Sequence, residues 1–327
     1  MTELKLSGIF TSIIGSFPLE DSEANRKRCI KDLLSIGLDF PSYPQLTEMG
    51  PQFLNDLAKN GSGVQLDKAR YKMIGKKIEY NGPPLGLEPF FWIIRYLREK
   101  GLTSKVRLKA PITGPFTLAS FIETKSGMFP FNTAASDLDL VKQIAEILTK
   151  SCEAASKDAS MISIDEPILS VLVGARTAFR YQEEDIIGVY NSLKKACGEK
   201  TVGTHICGKI SPKLAEILLK TELDFLSHEF FDTPQNVKLY SPNNLREYDK
   251  ILSVGCLSTK NPRIESQEEI FMLMKQFNKY REALIFTPDC GFRKLLINGL
   301  DTEEAYRISF RKLRNMISAL KNFKVSQ

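Results

Sequence analysis

Histidine is almost absent from this chain, with two residues in 327, His205 and His228, and tryptophan occurs once, at Trp92. A site built on several imidazoles is therefore excluded, and any chemistry needing one must use one of two positions. No apolar run approaches the roughly 18 residues of a membrane span. The opening residues Met1-Thr2-Glu3-Leu4-Lys5 carry nothing of signal-peptide character. The cysteines, Cys29, Cys152, Cys197, Cys207, Cys256 and Cys290, lack the spacing of a disulfide framework, which favours a reducing, cytoplasmic location. Charge of neither sign dominates: 45 Lys and Arg face 39 Asp and Glu, a net +6. The densest basic cluster, Arg26-Lys27-Arg28 with Lys31, is too short for a nucleic-acid face and reads as solvated helix surface. Neither nucleic acid nor a membrane is expected as a partner.

What is present is an alternation of short apolar runs and longer amphipathic stretches. Eight runs read as strands: Ile9–Ile14, Leu38–Phe40, Val106–Ile112, Met161–Ile164, Thr201–Thr204, Phe225–Ser227, Leu252–Gly255 and Ala283–Phe286. Between them lie helical faces. Leu138, Val141, Ile144, Ala145 and Leu148 form one, Leu214, Ile217 and Leu218 another, and Ile270, Leu273, Met274 and Phe277 a third. Eight strand-then-helix units predict an α/β fold, a single (β/α)8 TIM barrel over residues 1–327. A doubly wound open sheet usually carries a glycine-rich phosphate loop after its first strand, and Ile14-Gly15-Ser16-Phe17-Pro18 lacks that pattern. Two insertions, about Asn60 to Pro89 and about Lys125 to Asp137, read as loops over the C-terminal face of the barrel.

Catalytic groups of such a barrel sit where strands end. Ser16, Gln45, Gly114-Pro115, Asp165-Glu166, His205 with Cys207, Glu229, and Asp289-Cys290 all fall at the same ends of the predicted strands. A buried cysteine is usually a small core hydrophobe, which is the reading for Cys29, Cys152, Cys197 and Cys256. Cys207 differs, because it lies two residues from a rare histidine and extended backbone turns residues i and i+2 to one side. His205, Cys207, Glu229 and Cys290 are four competent zinc donors. His228, next to Glu229, points the other way and reads as structural. Asp165 either caps a following helix or binds a substrate ammonium group; the residues alone leave both open.

These segments resemble the C-terminal catalytic domain of cobalamin-independent methionine synthase, in the short form found in archaea and some anaerobic bacteria. The resemblance runs through Ile14-Gly15-Ser16-Phe17-Pro18, Gly37-Leu38-Asp39, Thr113-Gly114-Pro115-Phe116-Thr117-Leu118, Ile164-Asp165-Glu166-Pro167, Thr204-His205-Ile206-Cys207 and Pro288-Asp289-Cys290-Gly291-Phe292. It implies a barrel that methylates homocysteine sulfur to give methionine, with Zn2+ held by His205, Cys207, Glu229 and Cys290. It places the homocysteine carboxylate on Ile14 and Ser16 and the ammonium on Asp165, with Asp165 and Cys290 as catalytic positions and Gln45 also in the substrate site.

The departures share a direction. The N-terminal barrel that helps the longer enzymes hold a polyglutamyl folate is not expected here. Phe121 stands where the family has a tryptophan against the pterin. Lys260, anchored on Pro262-Arg263-Ile264, stands where it has a histidine thought to protonate the departing folate nitrogen. Gln45 replaces a glutamate. The donor-site candidates Phe121 and Lys260 thus point to a methyl donor whose leaving group needs no proton: methylcobalamin, or a methylated corrinoid on a carrier protein, in place of methyltetrahydrofolate. Three alternatives stand beside this expectation: a methyltransferase for another thiol of the coenzyme M type, a decarboxylase of the uroporphyrinogen type, and a non-catalytic binding protein.

Overall fold

Seven strands carry the alternation into one parallel sheet: β1 (Gly8–Thr11), β2 (Lys109–Thr113), β3 (Met161–Asp165), β4 (Thr201–Ile206), β5 (Phe225–Glu229), β6 (Ile251–Gly255) and β7 (Ala283–Thr287). The computed structural model describes residues 6–280 and 282–325, so the reading of Met1–Lys5 lies outside the described residues. The sheet order is β1-β7-β6-β5-β4-β3-β2. The expected strand at Leu38–Phe40 is a correction. It is reduced to single bridges, Ser12 with Phe40 and Ser42 with Lys109, which join β1 to β2 and close the curled sheet. Pro41 and Pro44 have no N–H to give a ladder, so the segment bridges its neighbours without forming a strand.

Period-two alternation layers the barrel interior. Phe40, Met161, Phe225, Ile251, Ala283 and Ile285 form an apolar floor. One step up lie Ser12, Ser42, Lys109, Ser163, Ser227 and Ser253, all buried. A further step brings Asp165, His205 and Glu229, the ends of β3, β4 and β5, to the upper rim. The opposite faces of the strands pack on the helices in a second, larger apolar core.

The helices begin where local chemistry dictates. Ser266 caps Gln267–Gln276 in a reciprocal box with Glu269, and Asp137 caps Leu138–Ser156. The helical face expected from Leu138 to Leu148 buries Val141, Ile144, Ala145 and Leu148.

The segment expected as a loop from Asn60 to Pro89 is a second correction. Val64–Asp67 pairs antiparallel with Arg70–Met73, and Ile122–Glu123, just before the second insertion, joins that hairpin. The two turn residues, Lys68 and Ala69, both have positive φ, 46° and 66°. Tight hairpin turns of this kind usually carry Asn-Gly or Asp-Gly, and a Lys-Ala turn leaves no such signal.

Lys312, on the C-terminal helix Thr302–Val325, forms a fully buried ion pair with Glu265 at 2.9 Å. Removing one partner of such a pair strands the other charge. Lys312→Met is expected to lower stability by about 3–5 kcal/mol, while Lys312→Met combined with Glu265→Leu recovers most of it. Urea unfolding monitored by circular dichroism checks both.

Candidate metal centre and thiol site

The parallel register of β3, β4 and β5 sets the site. Asp165 is aligned with His205, and His205 with Ser227 on β5, two residues before Glu229. The ring Nδ1 of His205 lies 3.2 Å from the Ser227 hydroxyl. With Nδ1–H donating to Ser227, Nε2 keeps its lone pair for the cysteine side of the ring, and no hydrogen bond from the described residues satisfies it. Cys207 follows the end of β4, and Cys290 follows β7. The donor atoms of His205, Cys207 and Cys290 lie within 4.8 Å of one another.

The two thiols are coupled. A hydrogen bond from Cys290 pulls Cys207 down to about 6 against the effect of burial, with the Lys294 charge assisting. The same hydrogen bond, together with burial, pushes Cys290 up to about 12. Two coupled thiols this close share a proton, and a metal ion is the natural replacement for it.

Glu229 closes the set from the end of β5. Its Oε2 accepts from Lys260 Nζ at 2.9 Å and from Thr233 Oγ1 at 3.1 Å, and Lys294 Nζ lies 3.6 Å from Oε1. Six buried side-chain atoms lack a hydrogen-bond partner among the described residues. Four of them, His205 Nε2, Glu229 Oε1, Thr259 Oγ1 and Thr287 Oγ1, belong to this arc of the barrel. One nitrogen and two sulfurs gathered at one place, with the Glu229 carboxylate nearby, fit a borderline-soft ion such as Zn2+.

A buried carboxylate ties two of these groups together. Asp289 Oδ1 accepts from the N–H groups of Phe230 and Phe231 at 3.0 and 3.1 Å, and Oδ2 from that of Asp232 at 2.6 Å. The turn bearing Cys290 is thus fastened to the turn after Glu229. Burial pushes the Asp289 carboxyl up to about 7, and the three N–H donors pull it back.

The other expected residues surround an opening of about 500 Å3 lined by Ser16, Gln45, Phe121, Cys290 and Lys294, with Met49, Pro51, Leu296 and Ile297 among its apolar walls. Ser16 bridges Gln45 and accepts the Phe292 N–H at 2.9 Å, which brings the first strand end against Cys290. Gly291 permits that approach, since a Cβ there would overlap Ser16 Oγ. Phe121 is 41% exposed at the mouth. Ile14 and Asp165 are buried and do not line this opening. Asp165 accepts a short hydrogen bond from Ser163. Burial raises its pKa, opposed by the Lys109 charge and the hydrogen bond from Ser163. Lys109, inside the same barrel, donates to the Ile13 carbonyl at 2.7 Å, and burial lowers it to about 8.

Several contributors carried no signal in the sequence. Asp165 caps no helix. Its neighbour Glu166 instead accepts from the Phe116 and Thr117 N–H groups at 2.9 and 2.7 Å and from the Thr117 hydroxyl at 2.6 Å, pinning the turn after β2. Lys294 looks in sequence like any surface lysine. Ser227 gains its role only across the strand pair. His228, buried, lies 3.1 Å from the Ile206 carbonyl and 3.0 Å from Tyr240 OH, in keeping with a structural place.

The family described as "Cobalamin-independent synthase, Catalytic domain" matches residues 94–322. The methionine synthase of Methanocaldococcus jannaschii is 27% identical over 337 residues, covering 97% of this chain and 100% of that protein. That of Pyrococcus horikoshii is 30% identical over 253 residues, covering 74% of this chain and 63% of its own. Among solved structures, a B12-independent methionine synthase from Shewanella superposes with a TM-score of 0.70 at 16% identity, covering 98% of this chain and 100% of that one, which is a likeness of fold.

Ser227→Ala leaves the His205 tautomer unfixed. Metal affinity measured by chelator competition is expected to fall about 10–100-fold, with the circular dichroism spectrum unchanged. Undiminished affinity would remove Ser227 from the site.

Proposed function

This chain belongs to the cobalamin-independent synthase catalytic-domain family, and on that premise we propose that it methylates the sulfur of homocysteine to give methionine at a zinc held by His205, Cys207, Cys290 and Glu229. The observation that carries the reading is the convergence of two thiols and an unpartnered imidazole nitrogen within 4.8 Å at the ends of β4 and β7. Zinc bound there would supply a Lewis acid that keeps a substrate thiol in its thiolate form at neutral pH.

The chain's own residues do the positioning. Ser16 and the backbone at Ile14 receive the homocysteine carboxylate, and Asp165 the ammonium. Gln45 stands beside Ser16 and shapes the same pocket. Together they aim the sulfur into the opening before Phe121. The thiol proton is given up first. The sulfur electron pair then forms the S–CH3 bond as the donor–CH3 bond breaks, and the leaving group departs with the bonding pair.

The donor follows from what surrounds that opening. Lys260 is engaged by Glu229, away from any leaving group, and Phe121 offers an apolar platform at the mouth. A methylated corrinoid leaves as Co(I) without a proton, and we assign it as donor, either as methylcobalamin or on a carrier protein that docks over the mouth. The family's description as cobalamin-independent speaks against a corrinoid donor and leaves methyltetrahydrofolate as the second reading. Among the described residues no helix is long and apolar enough to cross a membrane.

Zinc-loaded protein given homocysteine should form methionine from methylcobalamin and not from methyltetrahydrofolate; turnover with the folate alone would overturn the donor assignment. Cys290→Ala should lose bound zinc and methyl transfer together, by metal analysis and product assay. A variant that kept both would end the ligand assignment.

A further inference from the structure

The other buried lysines of this chain are well matched. Lys312 faces Glu265, Lys194 faces Asp224, and Lys250 donates to the carbonyls of Thr221 and Leu223. Lys109 differs. It is 2% exposed. Among the described residues its ammonium makes one hydrogen bond, to the Ile13 carbonyl at 2.7 Å, and no ion pair. An ammonium carries three donors, and burying it without a counter-charge in contact is costly. The opposite charge that acts on it is Asp165. Asp165 is buried too, accepts from the Ser163 hydroxyl, and has no cation in ion-pair contact among the described residues. The peptide that Lys109 holds has a second end. The Ile13 carbonyl and the Ile14 N–H belong to one planar group. Ile14 is buried, and among the described residues its N–H has no hydrogen-bond partner. A buried N–H is rarely left so, and here it marks a place for an acceptor that the chain itself does not supply.

We propose that Lys109 is a positioning residue for the amino-acid end of the substrate: from inside the barrel, without touching it, its charge strengthens the Ile14 N–H toward the carboxylate and balances Asp165, which takes the ammonium. The inference rests on the homocysteine reading above and adds to it the group that sets the polarity of the subsite. A cation on a carbonyl oxygen draws electron density through the peptide, and the N–H at the other end becomes a stronger donor. Charge matching works in the same direction. An amino acid arrives as a zwitterion. Asp165 alone would make the subsite negative and repel the carboxylate. Lys109 makes the pair neutral and leaves one sign at each end, positive behind the Ile13–Ile14 peptide and negative at the end of β3. Both groups are buried, so water and salt screen them little. A ligand with an ammonium and no carboxylate gains from Asp165 and loses to Lys109, whereas a full amino acid gains from both.

The test is isothermal titration calorimetry on the zinc-loaded protein and on its Lys109→Met variant, with two ligands. One is the product methionine. The other is 3-(methylthio)propylamine, the same molecule without its carboxylate. Lys109→Met should bind methionine about tenfold more weakly than wild type. It should bind the amine as tightly as wild type or more tightly, because Asp165 then acts without its opposing cation. A packing defect would weaken both ligands alike, so equal losses overturn the proposal. Should Lys109→Met fail to fold by circular dichroism, Lys109→Gln, neutral and still able to donate to the Ile13 carbonyl, carries the same two readouts. Methionine bound equally by wild type and variant overturns the role of Lys109 and leaves homocysteine as the substrate. Wild-type protein that binds neither ligand ends the homocysteine reading and this role with it.

Discussion

The site depends on one buried carboxylate. Asp289 collects three backbone N–H groups from the turn after Glu229 while standing next to Cys290. Two groups 61 residues apart in sequence, Glu229 and Cys290, are thereby held in one frame. An unpaired buried carboxylate is costly, so the turn and the strand end are bound to each other: neither can shift without stranding that charge or those amides. The same arrangement recurs one step around the barrel. Glu166 pins the turn after β2, and Lys109 holds the Ile13 carbonyl at the end of β1. Buried charges placed under the rim, each matched to main-chain groups, hold the loops that carry the chemistry.

Above this frame the electrostatics change character. The groups gathered there compete for partners: two coupled thiols, a carboxylate paired with two lysines, and an imidazole nitrogen without a hydrogen bond. Rigid support below and competing partners above suit the proposed centre, which would hold a metal and still admit a further sulfur. The layering follows from strand geometry, since β5 passes from Phe225 to Ser227 to Glu229, floor to middle to rim, at a period of two.

Much of this was legible in the residues. The alternation of apolar runs with helical faces gave the barrel, because strands buried on both faces read as short, mostly apolar runs between amphipathic helices. The rarity of histidine made the pairing of His205 with Cys207 conspicuous. The strand at Leu38–Phe40 was over-read, because prolines remove ladder donors from an otherwise apolar run. The hairpin at Val64–Met73 was under-read, because its turn is made by Lys68 and Ala69, residues that do not announce positive φ.

By itself the sequence named the candidate donors, His205, Cys207, Glu229 and Cys290, and the end of the barrel where they lie, because residue type and strand periodicity are local properties. Only the tertiary structure decided what each donor leans on. Ser227 behind His205, Asp289 behind Cys290, and Lys260 with Lys294 upon Glu229 are pairings across strands and loops, set by register and closure of the sheet, and no spacing along the chain encodes them.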